Sequence, residues 1–307
     1  MSAQRSPQIA VSPNNSPEWV RDAVRAGGAQ LVEPDRANGL IWSDPYDPAG
    51  LELVLDQAPS ISWVQLPFAG SENFMHLVDA DRTWTSGKGV YSEPVAELAM
   101  GFLLGGLRHI VGYSRTNHWS GEHGRSLHGG RITILGGGGI ATALLRLLQP
   151  FNCHITVVRN QVEVMSGVDV VIGPDRLADA LPGADAVVVA LALTPANIGL
   201  ISRSEFELME PHAWLINVGR GRHVITDDLV WALDNNTIGG AALDVTEPEP
   251  LPTDHPLWTF PNCVITPHIG NTAEMVPPLL SRRITTNVSR FLAGEQLIGL
   301  LSRERGY

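Results

Sequence analysis

Arg220, Glu249 and His268 carry the side chains from which a carbonyl reduction could be built. They stand in three separate segments of the second half: 217–221 (NVGRG), 244–250 (DVTEPEP) and 266–270 (TPHIG). A guanidinium can grip a carboxylate and polarise the neighbouring carbonyl through its planar fork of donors. An imidazolium can hand a proton to the oxygen on which charge develops. A carboxylate beside the ring orients it and favours its charged form. That help matters because a free imidazole, with a pKa of about 6.5, is mostly neutral at pH 7. Taken singly, His268 reads as a turn histidine, Arg220 as a solvated loop residue and Glu249 as a surface carboxylate. Taken together, they suit the reduction of a 2-oxo acid by hydride transfer.

Hydride transfer needs a nucleotide cofactor, and residues 135–140 (LGGGGI) offer a place for one. Residues 131–135 (RITIL) read as a strand and 140–148 (IATALLRLL) as a helix. A strand, a glycine turn and a helix aim backbone N–H groups and the positive helix end at a pyrophosphate. Gly136 and Gly138 take the first two places of the G-x-G-x-x-G frame. Ala141 takes the third, where helix–strand packing needs only a small residue. A tight turn that binds nothing is the alternative. An NAD-preferring site carries an acid about 20 residues after the first glycine, for the ribose 2′-OH. Here residues 156–160 read TVVRN, so the acid is missing and Arg159 stands in its place. A guanidinium attracts a 2′-phosphate. The spacing therefore predicts NADP(H), with NAD(H) as the second choice; a solvated Arg159 without a part in cofactor choice is the other reading.

These residues must be held by a folded frame. A chain of 307 residues corresponds to about two domains and can bury a large core. Hydrophobic content of 44% and charged content of 17% are those of a globular protein. In the first 90 residues, 8–11, 39–42 and 62–65 read as short strands. Residues 17–26 read as a helix with Ser16 as N-cap and Pro17 at its first position. Helical spacing of Val95, Leu98, Ala99, Phe102, Leu103 and Ile110 predicts one long helix over 94–113. Residues 116–130, rich in Gly and His, read as an irregular connection. Apolar runs at 132–135, 155–158, 186–191, 214–218, 240–245 and 264–266 read as six buried parallel strands of a doubly wound sheet. The last 35 residues return to helix and end in a basic segment with Arg303 and Arg305.

Net charge is −11 and no basic run is present, which argues against nucleic acid as a partner. Cys153 and Cys263 lie beside apolar segments and read as buried thiols. Two cysteines build neither a disulfide framework nor a metal set. His118, His123 and His128, spaced by five, do not form a metal-ligand pattern. The N-terminal MSAQRSPQIAVSPN lacks a signal-peptide apolar run, and no stretch reaches the about 18 apolar residues of a membrane span. A cytoplasmic protein is the expectation.

The motifs LGGGGIA, ALALTPAN, WLINVGRGRHVITDDLVWAL, GAALDVTEPEPLPTDHPLW and VITPHIG resemble those of the D-isomer-specific 2-hydroxyacid dehydrogenases. That family includes glyoxylate/hydroxypyruvate reductases, 3-phosphoglycerate dehydrogenases and D-lactate dehydrogenases. The resemblance spans nearly the whole chain. It implies an α/β fold of two Rossmann-like domains, one flavodoxin-like and one NAD(P)-binding, with the active site in an interdomain cleft. The substrate domain would comprise residues 1–90 plus 273–307, and the cofactor domain 91–272. A homodimer is implied, acting on a small 2-oxo or 2-hydroxy acid.

By the same resemblance, Arg220 matches the catalytic arginine and His268 the proton donor. Glu249, five positions after Asp244, matches the catalytic acid, whereas Glu247 does not. Asp244 matches the residue that holds the nicotinamide carboxamide. Ala69 and Gly70, in PFAGSE, match backbone donors to the substrate carboxylate. Further cofactor contacts are implied at Gly139, Ile140, Asn160, Thr194, Val218, Gly219 and Gly270, and at His268 itself. There are four departures. Gly139 stands where arginine is frequent, and Arg159 replaces an acid. Residues 87–93 (GKGVYSE) replace Asn-x-x-Gly-x-Asn, and Asn271 replaces a small residue. None removes a catalytic group. The competing reading is a cofactor-sensing binding protein or corepressor with weak or no catalysis. Formate-type oxidation is disfavoured because it needs no proton donor and its enzymes carry Gln at the place of Glu249. A methyltransferase is disfavoured by the missing acid at Arg159.

Overall fold

A computed structural model describes residues 8–302. The basic segment with Arg303 and Arg305 lies outside the described residues. The chain divides into two compact units, Met1–Tyr91 with Thr272–Tyr307, and Ser92–Asn271.

The first unit begins with β1 (Gln8–Ser12), α1 (Glu18–Ala26), β2 (Gln30–Leu31), β3 (Gly39–Trp42), α2 (Pro48–Gln57), β4 (Trp63–Gln65) and β5 (Thr83–Thr85). The five strands form a parallel sheet in the order β2-β1-β3-β4-β5. Every residue of β3 and β4 is buried, as expected of strands covered on both faces. Ser16 is not the N-cap expected of it. The cap position belongs to Pro17, and Ser16 Oγ bonds Pro13 O and lies 2.7 Å from Ser43 Oγ. α2 was not legible in the turn-rich run 43–50. Its start is nevertheless well marked, because Asp47 accepts from Gly50 N at 2.8 Å and Pro48 opens the helix.

The second unit holds α3 (Ser92–Leu107), α4 (Ile110–Ser114), β6 (Arg131–Leu135), α5 (Gly139–Leu148), β7 (His154–Val158), β8 (Val170–Ile172), α6 (Leu177–Ala180), β9 (Ala186–Val189), α7 (Arg203–Leu208), β10 (Trp214–Asn217), α8 (Thr226–Asp234), β11 (Gly240–Leu243) and β12 (Cys263–Ile265). The sheet has seven strands in the order β12-β11-β10-β9-β6-β7-β8, all parallel. β8 is the strand absent from the six expected. It is three residues long and begins at an exposed residue, so it does not read as a buried run. One hydrophobic cluster, centred on Leu181, Val187, Phe206 and Leu215, packs one set of side chains of this sheet. Another, centred on Leu103, Ile134, Leu144 and Ile216, packs the other.

The helix expected over 94–113 is two helices. It starts at Ser92 and stops at Leu107. His109 then takes the left-handed conformation at φ 56° and α4 follows. Gly105 and Gly106 weaken the helix just before the break, and His109 N closes a tighter turn on Gly106 O at 2.9 Å. No helix or strand occupies residues 116–130. Cys263 is buried as expected, but Cys153 is only partly so, with Sγ donating to Leu127 O at 3.2 Å. Burial raises both thiols, Cys263 to about 12.

The chain returns to the first unit with α9 (Val276–Ala293), closed by Gly294 at φ 67°. Leu280, Ile284, Asn287 and Val288 form its buried stripe, against α1 and β1 residues such as Val24 and Ile9. Among the described residues no helix is long and apolar enough to cross a membrane.

Candidate active site

In an all-parallel sheet, the loops that follow the strands gather at their carboxyl ends, where α/β proteins bind ligands. β10, β11 and β12 are neighbours in the second unit. Arg220 lies three residues past the end of β10, Glu249 six past β11, and His268 three past β12. Three segments remote in sequence thus emerge side by side from one end of one sheet.

The Arg220 turn is built by buried polar groups. Asn217 Nδ2 donates to Arg220 O at 2.9 Å, and Gly219 N donates to Asn217 Oδ1 at 3.0 Å. Arg220 N lies 3.2 Å from Nδ1 of fully buried His223. The guanidinium, half-buried, donates from Nη1 to Gly219 O at 2.8 Å. Gly221 is required by packing, since a Cβ there would overlap the Thr246 carbonyl and Glu247 nitrogen. The same close approach ties the arginine turn to the loop that carries Glu249. Thr226 Oγ1, at the start of α8, adds a bond to Glu247 O at 2.6 Å.

His268 and Glu249 are paired, with Nδ1 2.7 Å from Oε1. The ring is 49% exposed and the carboxylate 42%, so solvent or a ligand reaches both. His268 Nε2 makes no hydrogen bond among the described residues. One nitrogen is therefore held by the carboxylate while the other is uncommitted among the described residues, as a proton donor to a ligand requires. His268 adopts φ 54°, a left-handed conformation that non-glycine residues rarely take.

Asp244 holds that turn. It is 3% exposed, and both of its oxygens are engaged. Oδ1 accepts from Thr266 Oγ1 at 2.6 Å and from Ile269 N at 2.7 Å; Oδ2 accepts from Gly270 N at 2.8 Å. His268 N also donates to Asp244 O at 2.9 Å. A buried carboxylate with two backbone donors and one hydroxyl donor is a strong clamp, because hydrogen bonds to a charged group contribute about 1.5–3 kcal/mol each. Nothing in the spacing DVTEPEP pointed to this duty; the signal is a tertiary contact. We expect Asp244→Asn, which presents an N–H₂ to donors, to lower kcat by on the order of tenfold to a hundredfold. Steady-state turnover checks this, and an unchanged kcat would remove Asp244 from the positioning of His268.

The glycine turn follows β6 as the sequence implies. Gly136 has φ 111°, and a Cβ there would come 2.5 Å from Ala190 O. Gly138 is the N-cap of α5, and a Cβ there would meet nothing within 4 Å. The backbone above the helix start, through Gly139 and Ile140, is thus open to a phosphate. Arg159 follows the last residue of β7 and lies over Gly137, with Cδ 2.7 Å from where a Cβ would be. Its Nη2 donates to Gln161 Oε1 at 3.1 Å, and Asn160 is next to it. Thr194 starts a short turn, its N donating to Asn197 Oδ1 at 2.8 Å. Val218 and Gly219 are buried at the end of β10, and Gly270 is buried beside Asp244. This donor set fits a dinucleotide: bare N–H groups at a helix start, a guanidinium beside the glycine turn, and a small-residue floor. No group of three or more His, Cys, Asp or Glu among the described residues could hold a metal ion.

In the first unit, Ala69 and Gly70 lie in the loop after β4, Ala69 exposed and Gly70 partly so. Neither backbone N–H makes a hydrogen bond among the described residues.

A seven-stranded parallel sheet with a glycine turn at the start of α5 defines an α/β protein with a Rossmann-type nucleotide domain, and the chain also holds a second α/β unit. Residues 100–270 match the family model for the D-isomer specific 2-hydroxyacid dehydrogenase NAD binding domain. The chain belongs to this family and is an NAD(P)-dependent dehydrogenase. It is 36% identical, over 292 residues, to an uncharacterised protein of the proB 3′ region of Corynebacterium melassecola, a match covering 92% of this chain and 95% of that one. Against the human glyoxylate reductase/hydroxypyruvate reductase it is 34% identical over 221 residues, 68% of this chain and 66% of the human one. A crystal structure of a D-isomer specific 2-hydroxyacid dehydrogenase from Xanthobacter autotrophicus Py2, in complex with NADPH and MES, matches with a TM-score of 0.86 at 25% identity. That match covers 98% of this chain and all 100% of the other.

Proposed function

We propose that this enzyme reduces a small 2-oxo acid, of the size of glyoxylate or hydroxypyruvate, to the D-2-hydroxy acid. The observation that carries the reading is the pair His268 Nδ1–Glu249 Oε1 at 2.7 Å on a ring that is 49% exposed. Support also comes from the human relative, whose name states this activity. Bound NADPH supplies the hydride. Arg220 takes the substrate's carboxylate and carbonyl oxygen through its fork and stabilises the charge that grows on that oxygen. His268 delivers a proton from Nε2 to the same oxygen, and Glu249 keeps the ring oriented and supports its charge. Ala69 and Gly70 offer backbone N–H groups to the carboxylate. The substrate domain is assigned to 1–90 plus 273–307, and the cofactor domain to 91–272. A cytoplasmic homodimer is the setting that the family resemblance supports.

The test is loss of NADPH absorbance with a panel of 2-oxo acids. Turnover of at least one small member is the expected result. Tight NADPH binding with no turnover of any would instead make the chain a cofactor sensor.

For the cofactor we propose NADP(H), with NAD(H) used less well. Support comes from Arg159 in place of an acid and from the NADPH bound in the Xanthobacter structure. Losing a charge-assisted bond of about 1.5–3 kcal/mol should reduce the NADPH-over-NADH preference in Arg159→Ala by on the order of tenfold to a hundredfold. The ratio of kcat/KM for the two cofactors measures it. A preference for NADH that Arg159→Ala leaves untouched would end this assignment.

A further inference from the structure

The segment 87–93 departs from the family pattern, and in the structure it lies against the loop that carries Ala69 and Gly70. We propose that Tyr91 and the Gly87 turn are the positioning device of the carboxylate-binding loop, setting substrate affinity from behind it. The inference rests on the assignment of Ala69 and Gly70 as carboxylate donors.

Three consecutive carbonyls of the loop are each held by a different donor. Leu66 O accepts from Gln65 Nε2 at 2.8 Å, Pro67 O from Tyr91 OH at 2.9 Å, and Phe68 O from Gly87 N at 2.9 Å. The peptide unit is planar and trans, so its N–H points opposite to its C=O. Fixing Phe68 C=O on the Gly87 turn therefore turns Ala69 N–H the other way. Gly87 permits this approach, since a Cβ there would sit 2.6 Å from Pro67 O. Tyr91 is 7% exposed, and its ring meets the Phe68 ring edge-on at 6.0 Å and 79°. Burial pushes the Tyr91 phenol above its usual range, so it stays a donor.

The turn is itself anchored. Arg283, on α9, donates Nη1 to Ser86 O and Nη2 to Lys88 O, both at 3.0 Å. Behind Leu66 lies a buried network: Asn287 Nδ2 donates to Gln65 Oε1 at 2.8 Å, and Thr85 Oγ1 to the same oxygen at 2.9 Å. Gln65, Thr85 and Asn287 are each no more than 1% exposed. A polar network this dry fixes one arrangement when all its members are satisfied. The loop that would meet substrate is thus held from behind by β4, β5, α9 and the Gly87 turn.

The test is steady-state kinetics of Tyr91→Phe with NADPH and the best 2-oxo acid of the panel. The ring contact stays, the Pro67 carbonyl loses its donor, and the loop gains freedom. The expected result is a rise in KM for the 2-oxo acid of about tenfold, with kcat within about twofold and the NADPH KM unchanged. Arg283→Lys, which cannot bond both carbonyls, should show the same split and carries the test if Tyr91→Phe does not fold. Ala69→Pro removes one of the proposed carboxylate donors. If it raises KM while Tyr91→Phe and Arg283→Lys do not, the loop binds carboxylate but is not positioned by this turn. If none of the three raises KM, the carboxylate assignment fails first. A parallel loss of kcat and NADPH affinity in Tyr91→Phe would mark a general structural role and overturn the inference.

Discussion

Substitution of His268 by Asn is expected to lower kcat by on the order of 10²–10⁴, the range for loss of a positioned general acid. Asn is the better choice than Ala because His268 sits at φ 54°, a conformation Asn tolerates and Ala does not. The turn should survive, since its bonds run through Asp244, Thr266 and backbone nitrogens rather than the imidazole. NADPH binding and the melting temperature should therefore stay near those of the parent, the ring being about half exposed. On the proposed mechanism only proton delivery is lost. Glu249→Gln should reduce kcat by less, and adding it to His268→Asn should cost little more, because the two groups act as one unit. The check is kcat for the two single variants and the double. Independent, multiplying losses would show that Glu249 acts by some route other than His268.

The second large effect is at Arg220. Arg220→Ala is expected to reduce kcat/KM by on the order of 10²–10³ or more, because the role proposed for Arg220 is to donate where negative charge develops. Arg220→Lys should recover only part of this. An ammonium keeps the charge but lacks the fork that spans a carboxylate and a carbonyl at once. The turn itself should persist in both variants, since Asn217 and His223 hold its backbone. The measurement is kcat/KM for the 2-oxo acid, alongside NADPH affinity as a control. Full activity in Arg220→Lys would mean that the site needs a charge there and no particular geometry.

Much of the fold was legible because its strands are mostly buried and read as predominantly apolar runs, from 132–135 to 264–266. β2, β5 and β8 were not: each is two or three residues long and, unlike the equally short β4 and β12, begins at an exposed residue. The break at His109 was hidden because Leu98, Phe102 and Ile110 keep helical spacing across it. Among site residues, Arg220, Glu249 and His268 could be singled out because each follows a strand in a short, distinctive loop. Their supports could not. Asp244 grips Ile269 and Gly270 from 25 and 26 residues away. Tyr91 reaches Pro67 across 24 residues, and Asn287 reaches Gln65 across 222. Such partners belong to the folded chain, and no local pattern announces them.

The most direct measurement is a crystal structure of the enzyme with NADP⁺ and oxamate, an unreactive mimic of a 2-oxo acid. The expected result places His268 Nε2 and the Arg220 guanidinium both within about 3.2 Å of the oxamate carbonyl oxygen. Oxamate bound with its carbonyl oxygen away from both His268 and Arg220, in crystals of enzyme shown to be active, would contradict the proposed chemistry.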